Sequence, residues 1–270
     1  MPPLPPITNI ASIDDVLAAI DGIIAWSIAN TSRLGYFAAL YKRITAAIKV
    51  NLPTFQDPAR LERLDVTFAS RYFAALNAWF HPEQFGPLSV AWRVAFEGAA
   101  MPQPIIVQHL IAGVNAHIDL DLGIAAEQTS PGALLPSLHD DFIRVNTVLS
   151  NEVHAVLAEI DELSPALAKL YDVLMQFEID AINRVLEITR NDAWAFALLL
   201  AFSPSLLDRL EIAKRDLKVS LLGRLVLNPP TAFALIIDDI GRVESRDIVH
   251  NIEVLNAQAN AMMAANGMMR

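Results

Sequence analysis

The 270-residue chain carries a net charge of −10, is 54% hydrophobic and only 19% charged, and has no cysteine. This excludes disulfides, thiolate catalysis and Cys-ligated metals, and no Lys/Arg cluster is present to neutralise a nucleic-acid backbone. With no signal-peptide pattern in MPPLPPITNI and no uninterrupted apolar run of about 20 residues, a cytoplasmic protein without a membrane span is expected.

Residues 1–10 hold four prolines and read as an extended lead-in. Ser12 with Asp15 is a short helix-start signal, and Ile13, Val16, Leu17, Ile20, Ile24 and Ile28 then form a helical stripe to about Asn30. Further helices are expected over 33–50, 59–80 and 88–99, separated by 51–58 and by HPEQFGP (81–87). Residues 104–126 form the next helix, followed by a loop, QTSPGALLPS (128–137), long enough to cover a pocket mouth. The spacing predicts helices over 137–163, 165–190, 192–202, 205–227 and 231 to about 263. No period-2 run of strand length and no hairpin signal appears. The expectation is a single all-α domain over 11–263, a multi-helix bundle wrapped around the central helix 104–126, with a frayed tail at 264–270.

The central helix carries the chemistry. His109, Gly113, His117 and Asp121 are four residues apart, so a straight helix stacks them in one row, with the glycine leaving room for a substrate or another backbone. Periodicity also turns polar residues inward elsewhere. Asp65 falls among Leu61, Leu64, Phe68 and Tyr72; Asp21 among Leu17, Ile24 and Ile28; Glu178 among Leu174, Ala181 and Val185; Asn146 with His139 among Phe142, Leu149 and Val153. Asp239 beside Ile236 and Val243 is a further inward candidate. A bare buried carboxylate costs several kcal/mol, so these groups are expected to meet in one polar pocket. Arg33, Arg71, Arg144 and Arg190 are the expected counter-ions.

Three readings of the pocket follow. In the first, His117 and Asp121 ligate a divalent metal (Zn, Mn or Fe) that activates water to hydrolyse an ester or phosphoester of an apolar substrate. His109 or Asp65 would be the general base, Asn115 or Arg144 would steady developing negative charge, and Glu178 would line the site. In the second, no metal is bound and a buried Asp/His pair binds, isomerises or cyclises an apolar small molecule. In the third, the polar groups satisfy one another and the protein is a non-catalytic binding module or purely structural.

Three stretches, SRLGYFAALYKRIT (32–45), LDVTFASRYFAAL (64–76) and QHLIAGVNAHIDLDL (108–122), together resemble a bacterial and fungal family catalogued as a domain of unknown function, DUF5995. The resemblance implies that Asp65, Asn115, His117, Asp119 and Asp121 stand at family motif positions, and it brings no reaction with it. More loosely, the His-x3-Asp element looks like that on the central helix of zinc-dependent phospholipase C and S1/P1-type nucleases. Those enzymes use three metals and several further histidines, whereas this chain has six histidines in all.

Overall fold

The computed structural model describes residues 2–167 and 179–268, and the described residues are all helix, turn and loop, with no strand. α1 (Ile13–Ala29) starts on a complete capping box. The Ser12 hydroxyl accepts from Asp15 N, and Asp15 Oδ2 accepts from Ser12 N at 3.0 Å, so the short aspartate reaches after all. α2 (Leu34–Asn51) returns alongside α1. α3 (Pro58–Phe80) begins with Asp57 as its cap and proline in its first turn, the position where the missing N–H has no helical partner to lose. α4 (Val90–Ala100) is capped by Ser89.

The central helix, α5, runs over 106–129 in three parts. It is α-helical over Ile106–Val114, a π-helix over Asn115–Leu122, and α-helical again over Gly123–Thr129. Then come α6 (His139–Leu163), α7 (Ile179–Phe202), α8 (Ser205–Leu227), α9 (Thr231–Gly241) and α10 (Ile248–Ala265). α7 packs on the second half of α5, α8 on its π segment and on α4, and α3 on its last turns. α2 lies between α1, α10 and α6. The all-α bundle around a central helix is the expected one.

Two apolar clusters flank α5. The larger joins Phe37, Tyr72, Trp92, Ile105 and Leu120; the second joins Leu122, Ala126, Leu135, Phe142 and Trp194. Two buried cations bind α2 to its neighbours. Lys42 Nζ meets Asp21 and the Asn260 amide oxygen, linking α1, α2 and α10, while Arg43 meets Glu152 and Glu159 on α6.

Several elements differ from expectation. Residues 192–202 do not form a separate helix; α7 continues through Arg190, because nothing in NDAW breaks a helix. The single helix expected from Thr231 to Met263 is two, parted at 242–247, where Asp247 caps α10 by accepting from His250 N. The stretch 128–137 is no lid. It forms a 3₁₀ turn, Gly132–Leu138, whose Leu135 and Leu138 are wholly buried beside Phe142. The lead-in is extended but docked. The Asn77 side chain accepts from Ile7 N and donates to Ile7 O, His81 Nε2 contacts Leu4 O, and Leu4 is buried.

Gly113 is not open to a substrate, because Phe37 fills the space over it. A Cβ there would stand 2.6 Å from the Phe37 ring. Gly113→Ala is therefore expected to lose about 1–3 kcal/mol of stability through overpacking, recovered in part by Phe37→Leu in the same chain. Gly22→Ala, an exposed mid-helix site with nothing within 4 Å, is the clash-free comparison in the same chemical denaturation series and should gain about 0.5–1 kcal/mol; a Gly113→Ala midpoint that rises with it would show that the wedge is loose.

Candidate functional site

The predicted row is interrupted rather than turned aside. The switch to i→i+5 bonding after 114 turns the chain less per residue than an α-helix does, and His109 and His117 stand about two turns apart along α5. His109 and His117 end in different surroundings, with Phe37 wedged over Gly113 between them.

His117 sits in an aromatic box. Phe68 stacks on its ring with centroids 3.6 Å apart, and the Tyr41 ring meets it edge-on at 4.7 Å. Phe37, Tyr72 and Trp92 close the remaining sides. Burial lowers the His117 pKa, more than the adjacent Asp121 can raise it. The ring is thus neutral at pH 7. Nδ1 lies 3.5 Å from Asp121 Oδ2, too long for a well-formed hydrogen bond, and neither ring nitrogen has another partner.

Asp121 is 1% exposed and fully engaged. Its Oδ1 accepts from Arg71 Nε at 2.8 Å and its Oδ2 from Trp92 Nε1 at 2.7 Å. Burial alone would raise its pKa, but the Arg71 guanidinium, with help from His117 and Trp92, holds it below the usual carboxylate range. This donor set does not fit a divalent ion. Both oxygens already receive hydrogen-bond donors, a guanidinium stands beside them, and among the described residues no group of three His, Asp or Glu side chains is placed to hold a metal.

Asp65 lies on α3, buried, with Oδ2 unpartnered. Burial first, and the neighbouring Glu62 second, push its pKa up to about 7. Its charge also presses on Tyr41, whose hydroxyl pKa is raised well above its ordinary value by burial and then by Asp65. The Tyr41 and Thr45 hydroxyls are likewise without partners at hydrogen-bonding geometry.

His109, nearer the start of α5, borders a cleft. A polar cavity of about 10 Å³ is lined by Arg33, Tyr36, His109, Glu244 and Arg246. A second, of about 20 Å³, is lined by Phe37, Tyr72, Trp92, Phe96 and Gly113, and again by Arg33 and His109. Each has room for about one water. Neither His109 nitrogen makes a well-formed hydrogen bond, although the Pro104 carbonyl is close enough to act on the ring; Glu244 Oε1 likewise makes none, with the Ser164 hydroxyl near the carboxylate. Glu244 Oε2 accepts from Ile106 N at 2.9 Å, pinning the start of α5. Burial, then the Arg33 charge, lowers the His109 pKa to about 4.

The other predicted residues stand apart from both places. Asn115 donates to Val219 O of α8. Arg144 lies over the Phe55 ring and is exposed, so it is not aimed at α5. Arg190 donates to Asn146 and to Phe142 O. Asp21 is half exposed in its pair with Lys42, His139 is exposed against Trp194, and Asp239 is exposed beside Arg242. Glu178 lies outside the described residues. Of the sequence candidates, the structure brings His117 and Asp121 together, and it sets Asp65 beside the Tyr41 that borders His117. Trp92, Tyr36, Glu244 and Arg246 were not singled out from sequence. Nothing in an amphipathic pattern marks which tryptophan donates to which carboxylate, and Glu244 reaches α5 from 138 residues away.

Fold and site define an all-α protein with a closed His/Asp interior and a small cleft at His109. The chain belongs to the DUF5995 family, described as a family of unknown function, whose model matches residues 13–229. That span contains all three stretches that suggested the resemblance. No curated protein and no solved structure matches the chain.

Arg71→Met is expected to cost about 3 kcal/mol, because it strands a buried carboxylate. Adding Asp121→Asn should return part of the loss; a double variant that melts no higher than the single one would show that the pair is not coupled. Asp65 gives a pH signature. A carboxyl whose pKa is raised to about 7 in the folded chain from an ordinary 3.8 contributes stability that is complete below about pH 4 and is lost as pH rises through 7. Asp65→Asn should remove that dependence, so the stability of wild type relative to the variant falls between pH 4 and 8, by roughly 4 kcal/mol at most. Parallel stability curves over that range would contradict the assignment.

Proposed function

We propose that this protein takes a small molecule into the His109 cleft without a metal, with His109 as the proton acceptor. The reading rests on one observation: both cavities are lined by Arg33 and His109, whose ring makes no well-formed hydrogen bond and has only the Pro104 carbonyl acting on it. The polar half offers Arg33, Arg246 and the Tyr36 hydroxyl to an anionic or hydrogen-bonding head. The apolar half offers Phe37, Tyr72, Trp92 and Phe96 to the body of the ligand. A neutral imidazole can relay a proton within one bound molecule, an isomerisation or cyclisation, and an anionic head beside it would raise its lowered pKa toward the working range. The described state is closed, so entry of a larger ligand requires Arg33 or Phe37 to swing aside.

The hydrolase reading has less support. A phospholipase C-like site at His117 and Asp121 would need further ligands, and the Arg71–Asp121–Trp92 contacts occupy the oxygens it would use. The net charge of −10 suits a protein working in solution, and a cytoplasmic small-molecule role is part of the same proposal.

A thermal-shift panel of small carboxylates with aliphatic and aromatic bodies tests the cleft. At about 100 times Kd a cleft ligand adds roughly 2.7 kcal/mol, a rise in Tm of several degrees. Arg33→Gln should abolish the rise, while His109→Gln should keep binding and lose any turnover. A panel without a single shift, or one whose shifts survive Arg33→Gln, would sink the proposal. Near-stoichiometric divalent metal in the purified protein, lost in His117→Ala, would restore the hydrolase.

A further inference from the structure

α8 is apolar on two opposite faces. The inner face buries Val219, Gly223 and Leu227 against α4 and α5. The outer face presents Leu206, Leu210, Leu217, Leu221 and Leu225, each more than half exposed and Leu206 92% exposed. Their spacing keeps them along one side of the helix. Isolated exposed leucines need no explanation, but a row of five over five turns does.

The charges of α8 are sorted in the same way. The helix holds five basic and three acidic residues. Asp216 turns inward, where its carboxylate accepts from Val90 N and Ala91 N, both at 2.7 Å, and caps α4. Asp208 and Glu211 are half buried. Arg209, Lys214, Lys218 and Arg224 are exposed, beside the leucines. Lys214 pairs with Glu211 and Lys218 with Asp192, while Arg209 and Arg224 take part in no ion pair among the described residues. A protein of net charge −10 thus carries a cationic, leucine-rich face.

The geometry points to docking of α8 on an anionic phospholipid surface, its axis in the membrane plane, its leucines at the headgroup–acyl boundary and its arginines and lysines on the lipid phosphates. The arrangement differs from a free interfacial amphipathic helix in that the other apolar face of α8 is buried in the bundle, so only the outer stripe and its flanking cations would meet lipid. It needs no spanning segment, and no described helix is long and apolar enough to cross a bilayer. A second copy of the chain fits the same face less well. Pairing two such stripes would crowd Arg209, Lys214, Lys218 and Arg224 of one copy against the same four of the other, whereas lipid phosphates neutralise them. The inference is independent of the His109 cleft.

The test is sedimentation of the full chain with phosphatidylcholine vesicles, with and without phosphatidylserine, beside Leu217→Glu/Leu221→Glu and Arg209→Gln/Arg224→Gln. All four substituted side chains are exposed, and circular dichroism and Tm check that the variants fold. The expected result is binding to the mixed vesicles only, weakened by salt. The leucine variant should lose binding, and the arginine variant should bind on the order of ten-fold more weakly. The proposal is overturned if wild type stays in the supernatant, if neutral and anionic vesicles bind it equally, or if the leucine variant binds as wild type does. It is equally overturned if ultracentrifugation shows a dimer that the leucine variant dissolves while no vesicle binding is found.

Discussion

A charged carboxylate in the middle of a helical bundle is the constraint to which the rest of this fold answers. Asp121 keeps its charge only because Arg71 reaches it from α3 and Trp92 from α4. Those two bonds fix how α3 and α4 sit against the central helix. They also fix where the aromatic box around His117 closes, because Phe68 and Tyr72 ride on α3 with Arg71. A purely apolar core of the same volume would be no less stable, but it would leave the rotation of each helix less defined. The polar contacts therefore select one arrangement among several that leucine packing would allow, a role attested for other buried polar groups.

Much of this was legible in the sequence. The period of the apolar residues located most helices, and the inward placement of Asp65, His117 and Asp121 followed from it. The misreadings share physical causes. Asp21 lies on the rim of its stripe, and a 50% exposed side chain paired with Lys42 looks the same in sequence as a buried one. The row from His109 to Asp121 reads as one site on spacing alone, and spacing does not show that Phe37 of α2 fills the room over Gly113 between the two histidines. The 3₁₀ plug at 132–138 reads as a loop able to cover a pocket mouth, because glycine, proline and serine mark irregular backbone without saying whether its leucines are buried. Trp92 and Glu244 act through tertiary contacts that periodicity within one helix does not contain.

The two regions of functional interest are built on neighbouring elements of the same frame. The His109 cleft opens where α2, the start of α5 and residues 244–246 converge. The leucine face of α8 points away from the core that its inner face helps to build. The two are mechanically linked, since Asn115 and Gln108 of the central helix donate to backbone carbonyls of α8 at Val219 and Val226. A displacement of α8 would thus be transmitted to the helix that carries His109.

The docking of the lead-in has a consequence for how the chain comes together. Ile7 is held by the side-chain amide of Asn77, which takes the place of a neighbouring strand's peptide group and lies 70 residues further on. During synthesis the segment around Leu4 and Ile7 has left the ribosome well before its anchor exists. It must wait undocked while α1 and α2 form, and it settles only once α3 has its final turns. The lead-in is therefore made well before it can be fixed, and a probe of co-translational protection would find its backbone open until about the time residue 77 clears the exit tunnel.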